Sequence, residues 1–262
     1  MKAPLKLILR SGVALALLAA GHALRAQVYA DTSTRLDKYM VPATTPTAAP
    51  DAQGFLGRWL LLEPISKPNR TNTVFTDSYI REAFGVQYFP GQLGDVLPKD
   101  GSAVKVTVEY QPPVNLQAGR PAFSMAPPQY EKKKVSLKWH AMDSKLPNVK
   151  LFRFATNLSE DRYGVIFWAV TVVNCEEDIP GVRLAVGSNS ASMWWVNGEE
   201  AVVLSGDRRR VMDDGASERL TLHKGRNVIW CAVINGPGMS DFCARFIDEA
   251  GQPVKNITLS TK

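Results

Sequence analysis

Few residues in this chain of 262 are of types that do chemistry, and their spacing decides how far each can be taken. Of three histidines, His22 lies in an N-terminal apolar segment, which leaves His140 and His223. Neither has a second His or a Cys at metal-ligand spacing, which argues against a zinc site. A Ser-His-acid hydrolase wants its nucleophile on a tight strand-to-helix turn in a G-x-S-x-G-like setting. Gly187-Ser188-Asn189 and Gly238-Met239-Ser240-Asp241 come nearest, and both read as loops between strands. No G-x-G-x-x-G or P-loop sequence occurs, so a phosphate cradle is missing. Carboxylates for general acid and base work could be drawn from Glu176, Glu177, Asp178, Asp207, Asp213 and Asp214. A glycosidase needs two of them converging in a cleft. Spacing does not show convergence, so solvated acidic loops are the simpler reading. The same loops offer oxygen ligands for a structural calcium ion, with Glu176, Glu177 and Asp178 as one candidate set and Asp213 with Asp214 as the other. No other cofactor is implied.

The aromatic residues offer binding rather than catalysis. Trp194 and Trp195 are adjacent, so on a strand their side chains point to opposite faces. Val196, just before the Asn197-Gly198 turn, reads as a core residue; it shares a face with Trp194 and sets Trp195 outward, unless a bulge reverses the pair. An outward Trp195 beside Asn197, Asp207 and Arg208 would give a sugar ring a stacking plane with polar groups at its edge. Against this stand two plainer readings: both indoles packed inside, and Asn197 serving only the turn. Trp59, Trp139, Trp168 and Trp230 sit in apolar runs and read as core.

These residues must be held by strands. Val104, Val106, Val108 and Tyr110 alternate with Lys105, Thr107 and Glu109, and Val135, Leu137 and Trp139 repeat the pattern. The run from Tyr163 to Val173 is apolar and β-branched throughout, as suits a central strand buried on both faces. Further strands are predicted at Leu151–Ala155, Val182–Val186, Ser192–Val196, Ala201–Leu204, Arg219–Leu222, Val228–Ile234, Phe242–Ile247 and Ile257–Leu259. Turn residues such as Pro180-Gly181, Asn197-Gly198 and Lys224-Gly225 separate them. One short helix is predicted, Ser78–Phe84 capped by Asp77. About ten closely spaced strands with almost no helix predict an all-β fold, an antiparallel β-sandwich. Cys231 and Cys243 flank the turn at Gly236-Pro237-Gly238, across an expected hairpin; a bridge requires the right register, and buried free thiols are the favoured reading.

The C-terminal half resembles a known family. Val182–Asn189, Trp194-Trp195-Val196-Asn197-Gly198, Leu220–Ile229 with its Leu-x-Lys-Gly-x-Asn corner, and Phe242–Phe246 follow one another in order. This is similar to the galactose-binding-like (jelly-roll) β-sandwich modules of bacterial polysaccharide-degrading enzymes. The stretch Phe55–Pro64 resembles the opening of exported Bacteroidetes-type proteins found beside acetylxylan esterases, although the esterase nucleophile motif is absent here. The resemblance implies a carbohydrate-binding role with a poly- or oligosaccharide partner, a structural calcium in many members, and a glycan-degrading enzyme nearby. It does not imply catalysis. The alternatives are a carbohydrate-active hydrolase (acetylxylan esterase-like or a glycosidase) with an unrecognised site, and a protein-docking structural module.

Charge and the N-terminus bound the setting. Lys2, Lys6 and Arg10 precede an apolar run from Val13 to Ala20, followed by small residues at candidate cleavage sites, the pattern of a secretory signal over residues 1–30. Export to the periplasm or the extracellular space is expected. Outside that segment there remain 27 Lys and Arg against 25 Asp and Glu, too small an excess for a nucleic-acid footprint. Glu131-Lys132-Lys133-Lys134 and Arg208-Arg209-Arg210 read as solvated strand ends or turns. No further run is long and apolar enough to span a membrane. Residues 31–54, rich in Pro, Thr and Ala, predict a linker that adds little to the stability of a domain over 55–262.

Overall fold

A computed structural model describes residues 35–68, 75–110, 130–158, 163–206, 212–236 and 238–262. Its strands, in order, are β1 (Met40–Pro42), β2 (Arg58–Leu62), β3 (Ile65–Ser66), β4 (Ala103–Tyr110), β5 (Glu131–Ser144), β6 (Val165–Cys175), β7 (Ile179–Ser188), β8 (Ser192–Val196), β9 (Glu199–Leu204), β10 (Gly215–Ala216), β11 (Leu220–Leu222), β12 (Gly225–Asn235), β13 (Phe242–Ile247) and β14 (Ile257–Ser260). Two helices, α1 (Asp77–Gly85) and α2 (Leu151–Asn157), complete it. All the pairings are antiparallel, as the alternating pattern predicts.

The larger sheet runs β1-β5-β2-β6-β12-β8-β9. Its centre is β6, whose apolar run lies along β12 from Val165 to Cys175 and carries β3, β2 and β14 end to end on its other flank. The smaller sheet has β7 at its centre, with β13 on one side and β10 and β11 on the other. Between the sheets lies one core, in which Trp59, Phe167, Trp194, Ile229 and Val233 meet Leu184, Val186, Phe242 and Phe246. Burial of this apolar area is the main stabilising term.

The larger sheet is also covered on its other face. Trp139, Trp168, Trp195 and Trp230 form a second core with Phe89, Val106 and Val108, closed by Ile80, Ala83 and Phe84 of α1. The α1 cap is Thr76 rather than Asp77: Thr76 Oγ1 accepts from Tyr79 N at 3.3 Å. The stretch expected as a strand from Leu151 to Ala155 is helix α2, because Leu151, Phe154 and Ala155 bury one face at helical spacing. Cys231 and Cys243 are not hairpin neighbours, since β12 and β13 belong to different sheets. Cys175, Cys231 and Cys243 are all buried free thiols.

Residues 35–54 do not hang free. Met40, Val41 and Pro42 pair with Met142–Ser144, and Ala48 bridges Leu259. Arg58, 2% exposed, donates to both Asp143 carboxylate oxygens at 2.7 Å and to Thr45 O at 2.7 Å. The arm therefore supplies an acceptor to a buried cation, which composition could not show. The segment 1–30 expected as a signal lies outside the described residues. Among those described, no helix is long and apolar enough to cross a membrane.

Candidate functional site

The two sheets part at the edge where the β8–β9 hairpin faces β10 and β11, and the residues there build the site. The hairpin turns through Asn197 at φ 52° and Gly198 at φ 82°, a left-handed pair that Asn-Gly accepts at little cost. Asn197 is held at both ends by Val228: its N–H donates to Val228 O, and its Oδ1 accepts from Val228 N, each at 2.8 Å. Its Nδ2 donates at 3.1 Å to Oδ1 of Asn227, which is fully buried. Asn227 Oδ1 also accepts from His223 N at 2.9 Å, and its Nδ2 donates to His223 O at 2.7 Å. The Lys224-Gly225 turn, with Gly225 at φ 86°, is tied down in turn by Lys224 N donating to Asp178 Oδ1 at 2.6 Å. The Asn-Gly and Lys-Gly-x-Asn motifs thus form one hydrogen-bonded corner that aims the hairpin.

A groove of about 610 Å³ opens beside this corner. Val196, Ala201 and Leu220 supply its apolar part, and Glu199, Glu218, Thr221 and His223 are among its polar lining. Glu200 lies at its rim and is held by Arg81 of α1, which also donates to Asp77 at 2.7 Å. Those two carboxylates, Glu200 foremost, hold the Arg81 guanidinium above its ordinary pKa. Glu199 and Glu218 are exposed and form no ion pair among the described residues. The groove therefore presents two carboxylates free to accept hydrogen bonds, beside an apolar wall.

The residues singled out from sequence fare differently. Trp195 is not outward: it is 5% exposed and stacks on Trp168 with ring centroids 5.6 Å apart and planes 18° apart. It does lie opposite Trp194, as alternation requires. The face it points to is a second core and not solvent, because α1 and the residues around Phe89 cover it. The bulge beside it falls between the pairs Trp194–Val202 and Trp195–Glu200 and leaves the inward Trp194 in place. Asn197 stays at the groove, though its side chain is spent on the corner. Asp207 and Arg208 lie outside the described residues. Glu176, Glu177 and Asp178 are exposed, and Asp178 serves the Lys224 turn. Among the described residues no three His, Cys, Asp or Glu side chains gather closely enough to hold a metal ion. Asp213 instead grips Arg245, whose guanidinium lies 4.9 Å from the Phe55 ring centroid and donates to Gln53 O at 2.9 Å.

The catalytic candidates also have other partners. His140 Nε2 lies 3.0 Å from Glu63 Oε1, and His223 Nδ1 is 4.0 Å from Asp178 Oδ1. Ser188 is fully buried in β7 and bonds to Ser190 O and to Ser192 Oγ. Ser240 is likewise fully buried. A nucleophile must be reachable, and neither hydroxyl is. The acidic residues that do share a groove, Glu199, Glu200 and Glu218, were not among the sequence candidates. They come together because β9 of the larger sheet packs against β10 and β7 of the smaller one.

No family model matches the sequence, and no curated protein matches it significantly. Among solved structures the chain is similar to the PA14 sugar-binding domain of an RTX adhesin, with 10% identity, a TM-score of 0.37, and 79% of this chain and 100% of that one covered. It is similar also to the PA14 domain of the antifreeze protein MpAFP, at 12% identity and TM-score 0.37 over 84% of this chain and 96% of that one. A β-glucosidase from Kluyveromyces marxianus matches at 18% identity and TM-score 0.29, over 65% of this chain and 17% of the enzyme. Scores of this size mark a loose likeness.

Proposed function

We propose that this protein is an exported, non-catalytic carbohydrate-binding module that acts beside enzymes degrading xylan-like glycans. The observation that carries the reading is the open groove at the sandwich edge, about 610 Å³, in which Glu199 and Glu218, without an ion pair among the described residues, lie beside Val196, Ala201 and Leu220. Sugar rings have the matching character: C–H faces that pack on apolar side chains, and hydroxyls that donate to carboxylates. The ordered series of Trp-Val-Asn-Gly and Leu-x-Lys-Gly-x-Asn elements supports the same reading.

The Lys2–Ala20 pattern supports export, to the periplasm or the extracellular space. An accessory role beside an enzyme, rather than an enzymatic one, accords with the burial of Ser188 and Ser240. The test is calorimetric titration of the mature chain with xylo-oligosaccharides and other neutral oligosaccharides. Binding that weakens about tenfold or more in Glu218→Gln, with the melting temperature unchanged, supports the reading. Failure to bind any of them, or release of acetate or reducing sugar from xylan by the purified protein, overturns it.

A further inference from the structure

The run Glu131-Lys132-Lys133-Lys134 does more than solvate a strand end. In β5, residues 132, 134, 136 and 138 share a face, and the register with β4 sets Lys132 against Glu109, Lys134 against Thr107, Ser136 against Lys105, and Lys138 against Ala103. Lys105, Lys132, Lys134 and Lys138 are all exposed, and none forms an ion pair among the described residues. Four lysines therefore line one sheet face over roughly 20 Å, taking the ~3.3 Å rise of a strand residue. The one carboxylate at a position on this face, Glu109, already holds Lys67 Nζ at 3.2 Å from both of its oxygens. Glu63, near the other end, is engaged by Lys138 N and His140. Like charges massed on one face repel, and nothing described on this face offsets them.

At the Lys132 end the row runs into a pocket of about 270 Å³, lined by Lys67, Gln87, Tyr88, Thr107, Glu109 and Lys132 among others. Tyr88 donates its hydroxyl to Ala83 O at 2.9 Å, which fixes the ring at the pocket wall. Burial first, and then the Glu109 charge, keep that phenol well above its usual pKa and so neutral. Lys67 and Glu109 offset each other there, so the pocket offers the Lys132 ammonium, a neutral ring and an amide to one anionic sugar unit.

We infer that the lysine face of β4 and β5, with the pocket at its end, binds an extended acidic polysaccharide carrying carboxylates along its length. The residues between the lysines are Ser136 and Thr107, so among the described residues of β4 and β5 this face presents neither the apolar wedge of an interfacial membrane anchor nor the aromatic row that single-stranded nucleic acid needs. That the partner is a polysaccharide rests on the carbohydrate-binding reading above; that it is anionic does not.

The experiment titrates the full mature chain with polygalacturonate, in parallel with neutral xylo-oligosaccharides, phosphatidylserine vesicles and single-stranded DNA. Wild type binds polygalacturonate, and added salt weakens that binding by screening. K132A/K134A weakens it about tenfold or more, K132R/K134R restores it, and neutral-glycan binding stays with the groove, responding to Glu218→Gln alone. Because both lysines are exposed, the melting temperature does not move. No binding of polygalacturonate by wild type, or equal binding by K132A/K134A, overturns the inference. Equal or tighter lysine-dependent binding to vesicles or DNA overturns it also. Loss of the neutral-glycan result, with the polygalacturonate result intact, would sink the groove and leave this surface standing.

Discussion

Asn227 is fully buried, and its amide is satisfied on both sides: Oδ1 accepts from His223 N and Asn197 Nδ2, while Nδ2 donates to His223 O. Removing such a group strands its partners, at about 1–3 kcal/mol. Asn227→Ala should therefore lower stability in denaturant melts and weaken glycan binding through a loosened hairpin. Unchanged stability would show that the corner does not depend on it. Trp195 makes the sharper residue-scale case. With its indole against Trp168 in the second core, Trp195→Ala should cost about 3–5 kcal/mol of stability. A variant that melts like wild type and loses only glycan binding would return Trp195 to the surface. The cysteines give a third expectation. Burial pushes the Cys231 thiol well above its usual pKa, and burial with Asp178 nearby raises that of Cys175. A thiolate is the reactive form, so thiol reagents at neutral pH should leave the folded protein unlabelled and modify it after unfolding. Rapid labelling of the native protein would contradict the packing.

Between elements, the arm before β2 is where composition and structure part. Pro, Thr and Ala contain no periodic signal, yet β1 pairs with β5 and Thr45 O accepts from buried Arg58. A chain beginning at Gln53 loses both, and its thermal midpoint should fall by more than about 5 °C, since ~1 kcal/mol moves a domain of this size by roughly 2–4 °C. An unchanged midpoint would mean that the arm is ornamental. The strands themselves were legible: β4 lies where the period-2 alternation of Val104–Tyr110 puts it, and β8 and β13 lie where the turn-bounded apolar runs Ser192–Val196 and Phe242–Ile247 put them. Helix α2 was misread as strand, because five residues rich in Leu and Phe suit either element and the burial of Leu151, Phe154 and Ala155 on one face shows only in the fold. What alternation cannot record is whether the outward face of a strand meets water or a second layer. Trp195 and Trp230 look the same in sequence whether α1 covers them or not. For that reason the platform expected at Trp195 is absent, and the groove, whose carboxylates come from β9 and the approach to β11, was missed.

At the scale of the whole molecule, the larger sheet is buried on both faces, and among the described residues its edge and the β4–β5 pair carry charged surface that can meet a partner. The sandwich edge carries carboxylates, Glu199 and Glu218; the β4–β5 face carries lysines. The two surfaces differ in charge and in the substrate chemistry they suit, so each can be removed without touching the core. The central claim is that the edge groove binds a neutral glycan without turning it over. The measurement that tests it most directly is calorimetric titration of the mature chain and its Glu218→Gln variant with xylo-oligosaccharides, each mixture assayed afterwards for released sugar or acetate. The account predicts saturable binding by wild type, at least about tenfold weaker binding by the variant, and no released product. Equal binding by the two proteins, no binding by wild type, or product accumulating with time would contradict it.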